Sequence, residues 1–211
     1  PEYLIAYNNL GNLFQEIERY DEAIKNYEKV IKLNPDYKYA IGKLLHTKMI
    51  ISDWENYDEN LSNLIKSLKK NNKTINPFPL LSLIDNPNYH KVNSEIYSKD
   101  KFIGKRKEQV KNKLINSKKI KLGYFSPDFR DHPILYLTEE IFKFHNKSKF
   151  EIYAFSYGPK DNDKNLNEIK SFFEKFTDIR NISDQKVSDL SREIGIDIAI
   201  DLCGYTAWNR A

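Results

Sequence analysis

Two short stretches of this chain concentrate side chains able to do chemistry. Ser126-Pro127-Asp128-Phe129-Arg130-Asp131-His132-Pro133 gathers carboxylates, a guanidinium and an imidazole in one turn-rich segment. Asp201-Leu202-Cys203-Gly204-Tyr205-Thr206 gathers a carboxylate, a thiol and two hydroxyls. Proline favours the first helical position, which puts His132 at or next to a helix cap. The positive end of a helix disfavours an imidazolium and favours the neutral ring that a general base needs. The competing reading is that His132 only caps the helix. Asp128 can orient the histidine, bind a substrate hydroxyl or take a proton itself; it can equally be a turn aspartate bonded to its own backbone. Arg130 is either an anion contact or an ordinary surface arginine. Gly204-Tyr205-Thr206 supplies a tight turn and two hydroxyls, which suit a loop as well as a site. His46, His90 and His145 fall on helical stretches without partners and read as structural or exposed.

These two stretches end runs that read as strands. From Lys119 onward, IKLGYFS (Ile120–Ser126) is a short apolar run and Ile134–His145 has helical spacing. FEIYAFSY (Phe150–Tyr157) alternates like a strand, and Asn165–Phe176 returns to helix. Thr177–Ile182 is expected as a third strand, Lys186–Ile194 as a third helix, and IDIAIDL (Ile196–Leu202) as a closing buried strand. Strands alternating with helices imply βαβ crossovers and a parallel sheet. In such sheets ligands bind beyond the carboxyl ends of the strands, where both polar stretches lie.

The first seventy residues follow a different grammar. Tyr7, Leu10 and Phe14 recur at helical spacing around Gly11; Ala23, Ile24, Tyr27, Val30 and Ile31 form a second stripe that Asn34-Pro35 stops. The offsets from Tyr7 to Leu10, Gly11, Phe14, Ala23, Tyr27 and Pro35 are those of the tetratricopeptide repeat, whose period is about 34 residues. Small residues let the two helices approach, bulky ones fill the gap, and proline ends the second helix. Tyr39–Met49 and Trp54–Leu68 read as a degenerate second pair. Stacked repeats leave a concave surface, and Asn9 and Asn12 sit between the core positions of the first helix as candidate contacts; solvated asparagines are the alternative. The chain therefore divides into a repeat end (1–70), a helical connector (71–118) that includes a basic stretch at Lys99–Lys119, and the start of a doubly wound α/β domain (119–211).

Composition bounds the function classes. The chain has 211 residues, 40% hydrophobic and 30% charged, which is globular composition. Its formal charge of +4, from 34 basic and 30 acidic residues, is too small and mixed to argue for nucleic acid. No run approaches the roughly 18 apolar residues of a membrane span, and no secretory signal is evident. Cys203 is the single cysteine; no Cys/His cluster has metal-ligand spacing, and a reducing, cytoplasmic setting is expected. GxGxxG, GxxxxGK[ST] and GxSxG are all absent, so a bound nucleotide would draw most of its contacts from sequence not shown. Pro1 is not an initiator residue and the chain stops inside a motif, so a piece of a longer protein is expected.

The residues form a recognisable series. The repeat is followed by His46, Asp53-Trp54-Glu55-Asn56-Tyr57 and Pro77-Phe78-Pro79-Leu80-Leu81. Then come IKLGYFSPDFRDHPILYL (Ile120–Leu137), KFEIYAFSYGP (Lys149–Pro159) and GIDIAIDLCGYTAWNR (Gly195–Arg210). The series resembles the protein O-GlcNAc transferase family in its bacterial form, which includes the plant Spindly proteins. The resemblance implies an α plus α/β chain: the end of a tetratricopeptide-repeat α-solenoid, then the amino-terminal Rossmann-like lobe of a two-lobed (GT-B type) glycosyltransferase whose carboxy-terminal lobe is missing here. It implies inverting transfer of N-acetylglucosamine from UDP-GlcNAc to Ser or Thr hydroxyls of proteins, without a metal or other cofactor. The family's HP histidine falls on His132 and its SPDF aspartate on Asp128, both proposed for proton handling. Pro133, Ile134, Gly204, Tyr205 and Thr206 fall among substrate-binding positions. Asparagines on the inner face of the repeats, which hold the acceptor backbone, are matched by Asn9 and less closely by Asn12. The implied partners are protein acceptors and a nucleotide sugar, with no nucleic acid or membrane.

Two departures stand out. Animal members carry a histidine pair near Pro77-Phe78, and a threonine commonly follows the HP pair where this chain has Ile134. A Spindly-type fucosyltransferase using GDP-fucose and a non-catalytic repeat adaptor are the rival readings. This segment alone is expected to be inactive.

Overall fold

The first two helices meet where the sequence is smallest. In α1 (Glu2–Glu16) a Cβ on Gly11 would lie 2.5 Å from the ring of Tyr27 in α2 (Tyr20–Leu33), so only glycine admits that ring. Ala23, Tyr27 and Val30 are fully buried there. Leu10 and Leu13, on the other side of α1, are exposed. A second hairpin follows, α3 (Ala40–Ile50) and α4 (Tyr57–Lys69), as the degenerate pair predicted. This is a computed structural model that describes residues 2–101, 119–159, 166–206 and 210. It comprises two compact units, Pro1–Lys105 and Arg106–Ala211.

The polar run that follows α4 packs against α3 within the helical unit. Gly42 of α3 has no room for a Cβ, which would meet Ile75 at 2.5 Å and the Thr74 carbonyl at 2.7 Å. The backbone of Lys73 and Thr74 accepts from Tyr39 and Gly42, and Thr74 and Ile75 are buried. The short α5 (Pro77–Leu80) and the longer α6 (Pro87–Lys101) follow. Ile75, Leu80 and Leu83 share a core with Leu45, Leu64 and Leu68. Hydrophobic burial overrides the polar composition of the run. Most of the expected Lys99–Lys119 helix lies outside the described residues.

The second unit is a four-stranded parallel sheet of order β3-β2-β1-β4, built from β1 (Ile120–Ser126), β2 (Phe150–Ser156), β3 (Lys175–Asp178) and β4 (Ile198–Asp201). Three helices connect them: α7 (Pro133–Lys143), α8 (Leu166–Ser171) and α9 (Asp184–Ile194). Alternation along the strands serves both faces. Leu122, Tyr124, Ile152 and Ala154 meet Leu135 and Phe142 of α7 and Ile169 of α8. Phe125, Tyr153 and Phe155 meet Val187 and Leu190 of α9. Helices on both faces make this the expected Rossmann-like arrangement.

Two features of this unit correct the expectation. The third strand begins at Lys175, and the helix before it ends at Ser171, because Phe172, Phe173 and Phe176 satisfy helical spacing while their residue type suits a strand entering an aromatic core. The closing strand is not buried: β4 is an edge that pairs only with β1, and Ile198 is 49% exposed. Among the described residues no helix is long and apolar enough to cross a membrane.

Candidate active site

All four strands are parallel, so their carboxyl ends fall on one edge of the sheet. The β1 turn sits there. His132 is the N-cap of α7 in extended backbone, with Pro133 at the first helical position, and its Nδ1 accepts the Ile134 N–H at 3.2 Å. An Nδ1 that accepts carries no proton, so the neutral ring holds its proton on Nε2. The ring is about a third exposed, and Nε2 has no partner among the described residues. Asp128 lies 3.7 Å away, its Oδ2 facing the same Nδ1. Its carboxylate also accepts from Arg130 at 3.3 Å, while its own N–H donates to Ser126 Oγ at 3.0 Å. At 8% exposure Asp128 is nearly enclosed, its carboxylate bonded to the Arg130 side chain rather than to its own backbone. Nδ1 therefore has two uses that exclude one another: unprotonated it caps α7, and protonated it pairs with Asp128. Arg130 keeps a buried Nε without a partner.

Neighbouring strand ends clamp this turn. The Tyr157 N–H donates to the Ser126 carbonyl at 3.2 Å. Gly158 faces Pro127 so closely that a Cβ would stand 1.7 Å from its carbonyl oxygen. Tyr157 is buried, and its hydroxyl is held well above the usual phenol range by that burial, with Cys203, Asp201 and Asp128 nearby adding negative character. At the end of β4, Asp201 accepts from the N–H groups of Cys203 and Gly204, both at 2.9 Å, and Gly204 takes φ +58°. Thr206 Oγ1 closes the same turn on the Cys203 carbonyl at 2.8 Å. The Arg210 guanidinium binds the carbonyls of Ile179 and Ile182 and the Asp184 carboxylate, and covers the Tyr157 ring. A cavity of about 320 Å³ opens between α9 and the sheet beside these groups, but its charged members are already engaged: Arg210 and Asp184 bind each other, and Asp201 accepts the Cys203 and Gly204 N–H groups.

The structure thus places Asp128 and His132 together with Pro133 and the Ile134 backbone. Gly204, Tyr205 and Thr206 lie at the same sheet edge, with Tyr205 39% exposed. Thr206 Oγ1 is committed to closing its own turn on the Cys203 carbonyl. Asn9 and Asn12 belong to the helical unit. Asn9 is exposed, whereas Asn12 Oδ1 is engaged by Lys43 at 2.7 Å and Tyr27 at 3.1 Å. Sequence reasoning missed Tyr157 and Gly158 as clamps. The glycine in FSYGP, directly after a strand, was the available signal. Among the described residues no group of His, Cys, Asp and Glu could hold a metal ion.

A two-helix repeat and a parallel α/β lobe with its polar turns at one sheet edge describe a class: a repeat-bearing enzyme lobe of Rossmann type. The glycosyl transferase family 41 model matches residues 51–211 and the tetratricopeptide repeat model residues 5–37. The chain belongs to glycosyl transferase family 41. It is similar to the probable UDP-N-acetylglucosamine–peptide N-acetylglucosaminyltransferase SEC of Arabidopsis thaliana, 32% identical over 42% of this chain and 9% of that protein. It is also similar to the UDP-N-acetylglucosamine–peptide N-acetylglucosaminyltransferase of Caenorhabditis elegans, 26% identical over 74% of this chain and 15% of that protein. The chain spans less than a sixth of the length of either relative. A solved structure of a Thermobaculum terrenum O-GlcNAc transferase mutant aligns over 94% of this chain and 45% of its own, at 16% identity and a TM-score of 0.40.

Proposed function

We propose that the complete protein is a cytoplasmic, inverting protein O-GlcNAc transferase that moves N-acetylglucosamine from UDP-GlcNAc to Ser or Thr hydroxyls of proteins. The observation that carries this reading is the Asp128–His132 pair at the carboxyl edge of a family 41 lobe. In the reaction the acceptor oxygen bonds to the anomeric carbon, the bond from that carbon to the diphosphate breaks, UDP leaves, and the hydroxyl proton must be taken up. The enclosed Asp128 carboxylate is suited to take it. His132, with its proton on Nε2, is suited to donate a hydrogen bond to an oxygen of either substrate and so to orient it. A second lobe supplies the uridine pocket and the groups that stabilise the leaving diphosphate; no metal is invoked. The domain assignment that goes with this reading makes 1–70 the repeat end, 71–118 a helical connector and 119–211 part of the amino-terminal catalytic lobe.

The test is UDP release by the complete protein with a serine peptide. Asp128→Asn is expected to lower kcat by about 10²-fold or more. His132→Asn retains a capping side chain, so a loss of about tenfold or more in that variant reports chemistry rather than a frayed helix. Unchanged rates in both variants would remove the pair from the mechanism. Thermal shifts of the complete protein with UDP-GlcNAc against GDP-fucose decide the donor.

A further inference from the structure

Lys43 stands on α3 one repeat period, about 34 residues, after Asn9 on α1. The position that carries an exposed asparagine in the first repeat thus carries a cation in the second. The Lys43 ammonium donates to Asn12 Oδ1 at 2.7 Å and to Asn8 Oδ1 at 3.2 Å, and sits 5.8 Å from the centre of the Tyr27 ring. The cluster bridges the first helices of two successive repeats, the helices that line the inner surface of a repeat superhelix.

Lys43 is a half-buried charge with no ion-pair partner among the described residues. Lys48, on the same helix, is buried with Asp53 at 3.0 Å. Lys73 has Asp100 at 2.5 Å, and that carboxylate also accepts from Tyr39 at 2.8 Å. Among the described residues no carboxylate forms an ion pair with Lys43. Burial, followed by repulsion from Lys101 and Lys38, lowers its pKa to about 8, so it remains mostly protonated at neutral pH. Two amide oxygens solvate the ammonium without neutralising it, and its third proton is left for an incoming acceptor.

We propose that Lys43 reads a carboxylate: it binds an Asp or Glu side chain of an extended acceptor peptide lying along α1 and α3, so that the protein prefers acidic acceptors. This rests on the protein-acceptor reading above and gives it a selectivity. Asn9 is exposed; its Oδ1 accepts from Asn8 at 3.4 Å, and its side-chain N–H groups face the same peptide. The occupant follows from charge complementarity: a site with an unneutralised cation and neighbouring lysines favours an anion and rejects a basic segment.

The test uses fluorescein-labelled peptides of one length, amidated at the carboxyl end, with the acceptor serine flanked by either Asp or Asn. Anisotropy titrations with the chain should show the Asp peptide binding roughly fivefold or more tightly, as expected for a partly shielded ion pair. Lys43→Gln should bring the Asp peptide down to the Asn level, and Lys43→Arg should keep the difference. Equal affinities in the wild type, no binding of either peptide, or an equal loss of both in Lys43→Gln would overturn the proposal. Sugar transfer onto the Asn peptide by the complete protein separates the two ideas. Transfer without charge preference defeats only the role of Lys43; charge preference without transfer defeats only the transferase reading.

Discussion

At the scale of single residues, the informative atom is His132 Nδ1. It serves the backbone of α7 and faces Asp128, so the start of a helix and a possible proton site share one lone pair. This separates two effects of mutation. His132→Ala removes the cap and should lower the stability of the chain by about 1 kcal/mol, while His132→Asn, a good N-cap, should leave it nearly unchanged. Urea unfolding of the two variants checks this, and equal losses would mean that the ring acts through packing rather than through Nδ1. The pairing of His and Pro in the sequence made the cap legible, since proline marks the first helical position. The approach of Asp128 to the same nitrogen was not legible, because turn geometry decides whether an aspartate reaches forward to a ring or back to its own backbone.

At the scale of elements, glycines define where the loops lock. Gly158 and Gly195 look alike in sequence, each following a regular element, yet they differ physically. A Cβ at Gly158 would collide with the Pro127 carbonyl, whereas Gly195 meets nothing within 4 Å and is needed only for its φ of +79° at the end of α9. Gly195→Ala should therefore cost about 1 kcal/mol of backbone strain. Gly158→Ala should cost about 3 kcal/mol, at the upper end for overpacking, and should displace the Asp128 turn. Thermal unfolding gives the stability difference, and UDP release by the complete protein should fall only for Gly158→Ala. Equal stability losses would show that Pro127 can move aside. The first two strands were read to within a residue because their apolar runs end at polar turns. The third begins two residues and ends four residues earlier than expected because Phe172, Phe173 and Phe176 fit two periodicities. The Thr74–Ile75 segment looked polar from composition alone, and only the missing Cβ of Gly42 explains why it packs so closely on α3.

At the scale of the whole molecule, each unit holds a histidine whose burial favours the neutral ring. His46 in the helical unit and His145 in the α/β unit are both lowered from 6.5, and His145 Nε2 lies 2.6 Å from the Tyr124 hydroxyl. The unfolded chain therefore takes up protons first on acidification. The stability from these groups is complete above about 6.5 and declines as pH falls through the lower folded values. Urea midpoints measured between about pH 5 and 8 should decrease on the acid side, and His145→Gln should flatten part of that slope. A midpoint independent of pH would show that neither ring is protected. The strand order has a consequence for synthesis. Lys121 at the start of β1 donates to Asp197, 76 residues later, and β1 occupies the middle of the sheet. As the nascent chain leaves the ribosome, one flank of that strand has no neighbour until residues 198–201 arrive, long after β2 has covered the other. Contacts this distant in sequence form slowly, so during that interval the nascent lobe carries an open strand edge.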